Sequence, residues 1–193
     1  MKYKSIVVAP FLALLLPVTA WAMVKPLRVV APELLGLFCT TDNICIDDPT
    51  RLKEARHLLT TSISFVEQEL GQFQSIPKAV FCTTRKCASK FGLDQSVAFD
   101  VGSSGVIFSE RAWHPHFVRH ELIHHLQNER LGTLNVWLHK PSWLIEGMAY
   151  SRSRDPRQPL PEPLQSWRNQ YEQWEQQDLS ANLWERAEAV QPE

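Results

Sequence analysis

The chain has 193 residues, with 20 basic and 21 acidic side chains and a formal net charge of −1. That balance leaves no electrostatic footprint for nucleic acid or for an anionic membrane surface. The length suffices for one domain with a packed core.

Lys2 and Lys4 open the chain, an apolar stretch runs from Ile6 to Val18, and Ala20-Trp21-Ala22 closes it. This is the pattern of a secretory signal peptide over residues 1–22, cleaved after Ala22. The apolar run is short for a bilayer span. An uncleaved membrane anchor is the rival reading. Cleavage removes two lysines and no acids, leaving 18 basic against 21 acidic groups in residues 23–193. The mature chain is expected to be exported, to a periplasm or beyond the cell, with no stable membrane insertion.

Residues 23–46, with Pro26 and Pro32, read as extended and irregular. The four cysteines are Cys39, Cys45, Cys82 and Cys87. An even count in an exported chain favours disulfides, and three pairings are possible. The local pairing, Cys39–Cys45 and Cys82–Cys87, is expected. A structural zinc on all four is the alternative, with spacings wider than such clusters use.

Asp48-Pro49 is a helix start, cap then first position. Leu52, Ala55, Leu59, Ile63, Val66 and Leu70 follow at helical spacing, and Gly71 ends the run. Short strands are expected at Ala79–Thr83 and Ser96–Val101. Another, Gly105–Ser109, forms a hairpin with the second across Gly102-Ser103-Ser104. A helix is predicted from Pro115 to Leu131, stopped by Gly132. A loop through His139 leads to a helix capped by Ser142. Three prolines between Asp155 and Pro163 mark a linker. Leu164, Trp167, Tyr171 and Trp174 form one face of a further helix that packs over the domain, and the polar tail from Glu185 is expected to fray.

The chemistry sits in the Pro115 helix, which contains His120-Glu121-Leu122-Ile123-His124. Residues four apart share a helix face, so both imidazoles can reach one ion, with Glu121 beside them to take a proton. That is the local pattern of a zinc hydrolase. A third protein ligand is needed. An extended pattern with a third histidine fails, because Gln127 and Arg130 occupy its positions. A later aspartate fails because Arg130 stands there too. A glutamate from the next helix remains: Trp143-Leu144-Ile145-Glu146-Gly147-Met148-Ala149 places a carboxylate among apolar neighbours, where burial is costly unless the group is paired or metal-bound. Gly147 would let this helix approach another closely. His139 is the substitute ligand. His116 lies too far along the axis from His124 to share its ion. His125 points away and reads as an outer partner or surface residue.

His-Glu-x-x-His followed by Trp-Leu-x-Glu-Gly-x-Ala resembles the gluzincin metallopeptidases over about forty residues, Gly105 to Tyr150. The resemblance implies one Zn2+ held by His120, His124 and Glu146, with Glu121 as general base. It implies an α+β, zincin-like single domain, its small sheet packed on the active-site helices. It implies a sheet-edge strand pairing with substrate, and Val106, Ile107 and Phe108 stand in that place. Thermolysin-like members carry an Asp four residues after the ligand Glu. Tyr150 stands there instead, leaving the partner of the histidines unidentified. Tyr150, His139 and Arg152 are the candidates for stabilising the transition state.

The expected function is an exported zinc metallopeptidase acting on a peptide or protein substrate. Glu121 would accept a proton from the attacking water and pass it to the leaving amine. The alternative is a non-catalytic zinc-binding or interaction protein that kept the site.

Overall fold

The computed structural model describes residues 19, 21, 23–177 and 182–191. Apart from Thr19 and Trp21, the expected leader lies outside them. The fold is a single α+β domain with a small five-stranded sheet and several helices. The strands are β1 (Phe38–Cys39), β2 (Ile44–Ile46), β3 (Lys78–Phe81), β4 (Ala98–Asp100) and β5 (Gly105–Phe108), in the order β1-β2-β3-β5-β4. β2 and β5 run parallel to β3, and the two outer strands are antiparallel to their neighbours.

Both faces of the sheet are covered, which is why β3 and β5 are apolar at consecutive positions. Helices α1 (Leu52–Leu70) and α3 (Pro115–Leu131) cover one face, packing Leu59, Val66, Leu122 and Leu126 on Ile46, Phe81, Val106 and Phe108. The other face is closed by Val29, Leu37 and Phe91 over Cys45, Val80 and Ile107. Phe91 directly follows α2 (Arg85–Lys90), a short helix the sequence reading omitted.

Asp48 caps as expected, accepting from the Thr50 N–H, though the first turn at Pro49–Arg51 is 3-10. Residues 23–46 are not simply extended. They carry 3-10 turns at Lys25–Val30 and Pro32–Leu35 before β1 and β2. The Pro115 helix keeps its expected bounds, ending where Gly132 adopts a positive φ of 82°. The expected loop through His139 is helix α4 (Thr133–His139). Helix α5 (Ser142–Arg152) follows, with Pro141 rather than Ser142 at the cap position. The tail beyond the linker holds α6 (Leu164–Gln176) and α7 (Leu183–Ala189). The expected fraying is overturned by packing: Ala187 is buried and the Trp184 indole donates to the Leu70 carbonyl.

α6 crosses α5 at Gly147. A Cβ there would overlap the Trp167 carbonyl oxygen and lie 2.8 Å from the Tyr171 Cβ. The Trp167–Tyr171 face therefore packs on α5 and forms no part of the groove described below. Both expected disulfides, Cys39–Cys45 and Cys82–Cys87, are present and no cysteine is free, so the four-cysteine zinc cluster is excluded. Two disulfides fit an oxidising compartment. Among the described residues no helix is long and apolar enough to cross a membrane.

Candidate metal centre

Helical periodicity in α3 brings His120 and His124 one turn apart on one face. Their Nε2 atoms are 3.0 Å apart. α5 crosses this face and delivers Glu146, with Oε2 3.5 Å from His120 Nε2 and Oε1 3.6 Å from His124 Nε2. The three ligand atoms lie within 4.8 Å of one another and can hold a metal ion. The side chains of the two histidines are only 12 % exposed, and that of Glu146 35 %.

The electrostatics show why such a cluster suits a cation. Burial opposes charge on the imidazoles and lowers His120; at His124 burial is outweighed by Glu146, and its affinity for a proton rises. Glu146 is held far below the ordinary carboxylate range, burial being overcome by His124 and His120. Two ring nitrogens in hydrogen-bond range of each other and a nearby carboxylate need a proton or a metal among them. Two imidazoles and one carboxylate are donors suited to a divalent ion, so the residues fit the ion that the motif implies.

The partner of His124 is Gln127, which is fully buried. Its Oε1 lies 2.8 Å from His124 Nδ1, and its Nε2 donates to the Ile145 carbonyl at 2.9 Å. An amide oxygen only accepts, so Nδ1 carries the proton and Nε2 is turned to the site. Gln127 had served only to exclude a longer motif. Its place three residues after His124 on a helix was the signal for its contact.

Glu121 lines the same groove and is 8 % exposed. Burial raises its carboxyl to about 8; His124 opposes this, while Asp100 and Glu146 add to it. Asp100, passed over in the sequence, ends β4. Its Oδ2 accepts from the Asn128 side chain at 2.9 Å and the Gly102 N–H at 3.0 Å, and burial raises it to about 6. His125 is neither an outer partner of the metal cluster nor exposed. Fully buried, it sets its ring nitrogens 3.2 Å from the Gly102 carbonyl and 3.1 Å from the Ser75 carbonyl. Asn128 and His125 thus clamp the β4–β5 hairpin onto the helix that carries the ligands.

The proposed substrate strand is displaced by one. Val106, Ile107 and Phe108 are fully buried in β5, between β3 and β4. The edge strand at the groove is β4, and β1 ends the sheet on its far side. The Val101 N–H bonds to the Gly105 carbonyl and the Ser109 N–H to the Val97 carbonyl. Antiparallel geometry then points the backbone groups of residues 97, 99 and 101 into the sheet and leaves those of Ala98 and Asp100 facing outward, where the Asp100 N–H donates to the Glu121 carboxyl. Hairpin pairing had been legible, but the insertion of β5 beside β3 is long-range.

Of the three transition-state candidates, one belongs to the site. Tyr150 packs its ring 4.4 Å from that of His120 and lines the groove. Burial first, then Glu146, raise its hydroxyl to about 12, so it stays a donor at neutral pH. His139 is exposed and lines a different cavity. Arg152 faces away, bonding Glu175 at 2.5 Å and Glu69 at 3.5 Å. A second cation is near instead: Arg157, in the linker, lines the groove and is ion-paired to the buried Asp155. The groove measures about 890 Å³.

The chain matches no family model, no curated protein and no solved structure.

Proposed function

We propose that this chain is an exported zinc metallopeptidase of the gluzincin type. The observation that carries the reading is the convergence of His120, His124 and Glu146 within 4.8 Å at the side of a groove that also holds Glu121 and an open strand edge. The carboxylate that a second helix turns onto the two imidazoles supports the resemblance.

A zinc ion held there supplies a water of lowered pKa and a positive charge for the carbonyl being cleaved. The remaining work falls to side chains. Glu121 is enclosed beside the ligands and takes a proton as the general base, then returns it to the departing amine. A dication next to this carboxyl favours its charged form, reversing the effect of burial. β4 offers the outward N–H and C=O of Ala98 and the C=O of Asp100 to an extended substrate as one more strand, while the Asp100 N–H donates to Glu121. The Tyr150 hydroxyl and Arg157 are the donors that can meet charge on the carbonyl oxygen.

The test is Glu121→Gln. The variant is expected to bind one zinc per chain, like the parent, and to lose peptide hydrolysis by at least about a hundredfold. Hydrolysis at the parental rate removes Glu121 as the base. Zinc binding without turnover in the parent itself shows a binding protein that retains the site.

A further inference from the structure

The groove reaches both faces of β4. On the ligand side it is walled by Leu134, Val136 and Trp137 of α4; on the other it meets Val24, Leu27 and Phe99. None of the residues of α4 is buried, and Trp137 and Leu134 are 84 % and 72 % exposed. Large exposed apolar side chains on a short helix that gives the core only the half-buried Val136, grouped in a groove, mark a surface that is covered in use. Phe99, 45 % exposed, sits on the opposite face of the strand.

The strand edge identifies what covers it. A lipid tail would meet the apolar walls but leave the outward N–H and C=O of Ala98 and the C=O of Asp100 unpaired. A helix has no free backbone groups along its length to offer them. An extended polypeptide meets both requirements. Its successive side chains point to opposite faces, one set toward α4 and the other toward Phe99 and Val24. Both walls are apolar.

We infer that the groove selects an extended polypeptide stretch with apolar side chains at adjacent positions. Trp137 and Leu134 read one alternating set, and Phe99 and Val24 read the other. This deepens the peptidase reading and rests on it. Such runs are shielded in folded proteins, so the substrate class is non-native or leader-like apolar polypeptide. An amphipathic strand, apolar at every second residue, satisfies one wall only.

The experiment uses zinc-loaded Glu121→Gln and lysine-flanked peptides of equal length. One has an apolar central run; in the others serine replaces its odd positions, its even positions or both. Binding is read by fluorescence anisotropy. The full run is expected to bind about tenfold tighter than either half-substituted peptide, the scale of losing a well-buried apolar anchor. Adding Trp137→Ala, an exposed site with no part in the core, should abolish the preference at one parity of positions. Phe99→Ser should abolish it at the other. Equal binding of the full run and both half-substituted peptides overturns the inference, as does a Trp137→Ala profile identical to the parent's. Failure of all the peptides to bind overturns it too. Turnover by the unsubstituted protein keeps the two readings apart. Selective binding without cleavage defeats the peptidase reading alone, and cleavage indifferent to the serines defeats the apolar selection alone.

Discussion

Gln127 holds His124 by a 2.8 Å contact between its amide oxygen and the Nδ1 of the ring. The same amide donates through its nitrogen to the Ile145 carbonyl, one residue before Glu146. One side chain therefore orients a histidine ligand and docks the helix that brings the carboxylate. Gln127→Ala is expected to weaken zinc binding about 10- to 100-fold, the range for partners that orient metal-bound histidines. Competition with a chelator of known affinity measures this. Gln127→Glu, which still accepts from Nδ1 but can no longer donate to the Ile145 carbonyl, should recover part of the affinity, whereas a role in packing alone would give no such rescue.

The metal-free chain should respond to pH through Glu121. Its carboxyl is raised by burial from 4.5 to about 8. Between those values the folded state keeps a proton that the unfolded state has released, so this group's stabilising contribution falls as pH rises. Its full contribution is present below pH 4.5 and is lost as pH passes 8. Metal-free Glu121→Gln never buries this charge. Its melting temperature should exceed the parent's at pH 8–9 by an amount that shrinks toward pH 5, the stability difference behind it being about a few kcal/mol at most. A gap that grows on acidification would contradict the assignment.

Tyr150→Phe keeps the ring beside His120 and removes only the hydroxyl. Zinc stoichiometry should be unchanged. If the hydroxyl meets charge that develops on the carbonyl oxygen, kcat falls about 10- to 100-fold with KM nearly constant. Steady-state kinetics at saturating and limiting peptide separate that outcome from a loss of substrate binding, in which KM alone would rise.

Gly147→Ala places a methyl group against the Trp167 carbonyl and the Tyr171 side chain. Forcing the crossing apart should cost about 1–3 kcal/mol, read from denaturant unfolding at constant m. The same variant should bind zinc more weakly, because Glu146 is the preceding residue.

Local chemistry was legible in the sequence where it acts over a few residues. Pro115 and Gly132 fixed the bounds of the ligand helix because one presets φ and the other reaches a positive φ. Cysteines five and six apart paired locally. The clustering of His120, His124 and Glu146 was legible because a histidine pair at helical spacing shares one face and a carboxylate amid apolar residues carries a cost that a partner removes. Strand order was not legible: β5 bonds to β3 across an intervening hairpin arm, which no periodicity records, so the open edge was assigned one strand away. Helix α4 was read as loop because Leu134, Trp137 and Leu138 face outward, leaving no buried stripe. Arg157 was missed because a proline-rich linker gives no hint that an ion pair with Asp155 would hold it at a groove.

The position of Gln127 also determines how the centre can come apart. A single amide touches the imidazole from one helix and the backbone that carries Glu146 on the other, so neither end can loosen without disturbing its counterpart. With a metal held there, partial versions of its coordination sphere would be disfavoured. Thermal melts followed by helicity and by metal release should therefore coincide, and the protein should switch between a competent centre and none, with little middle ground for weak scavenging of wrong ions.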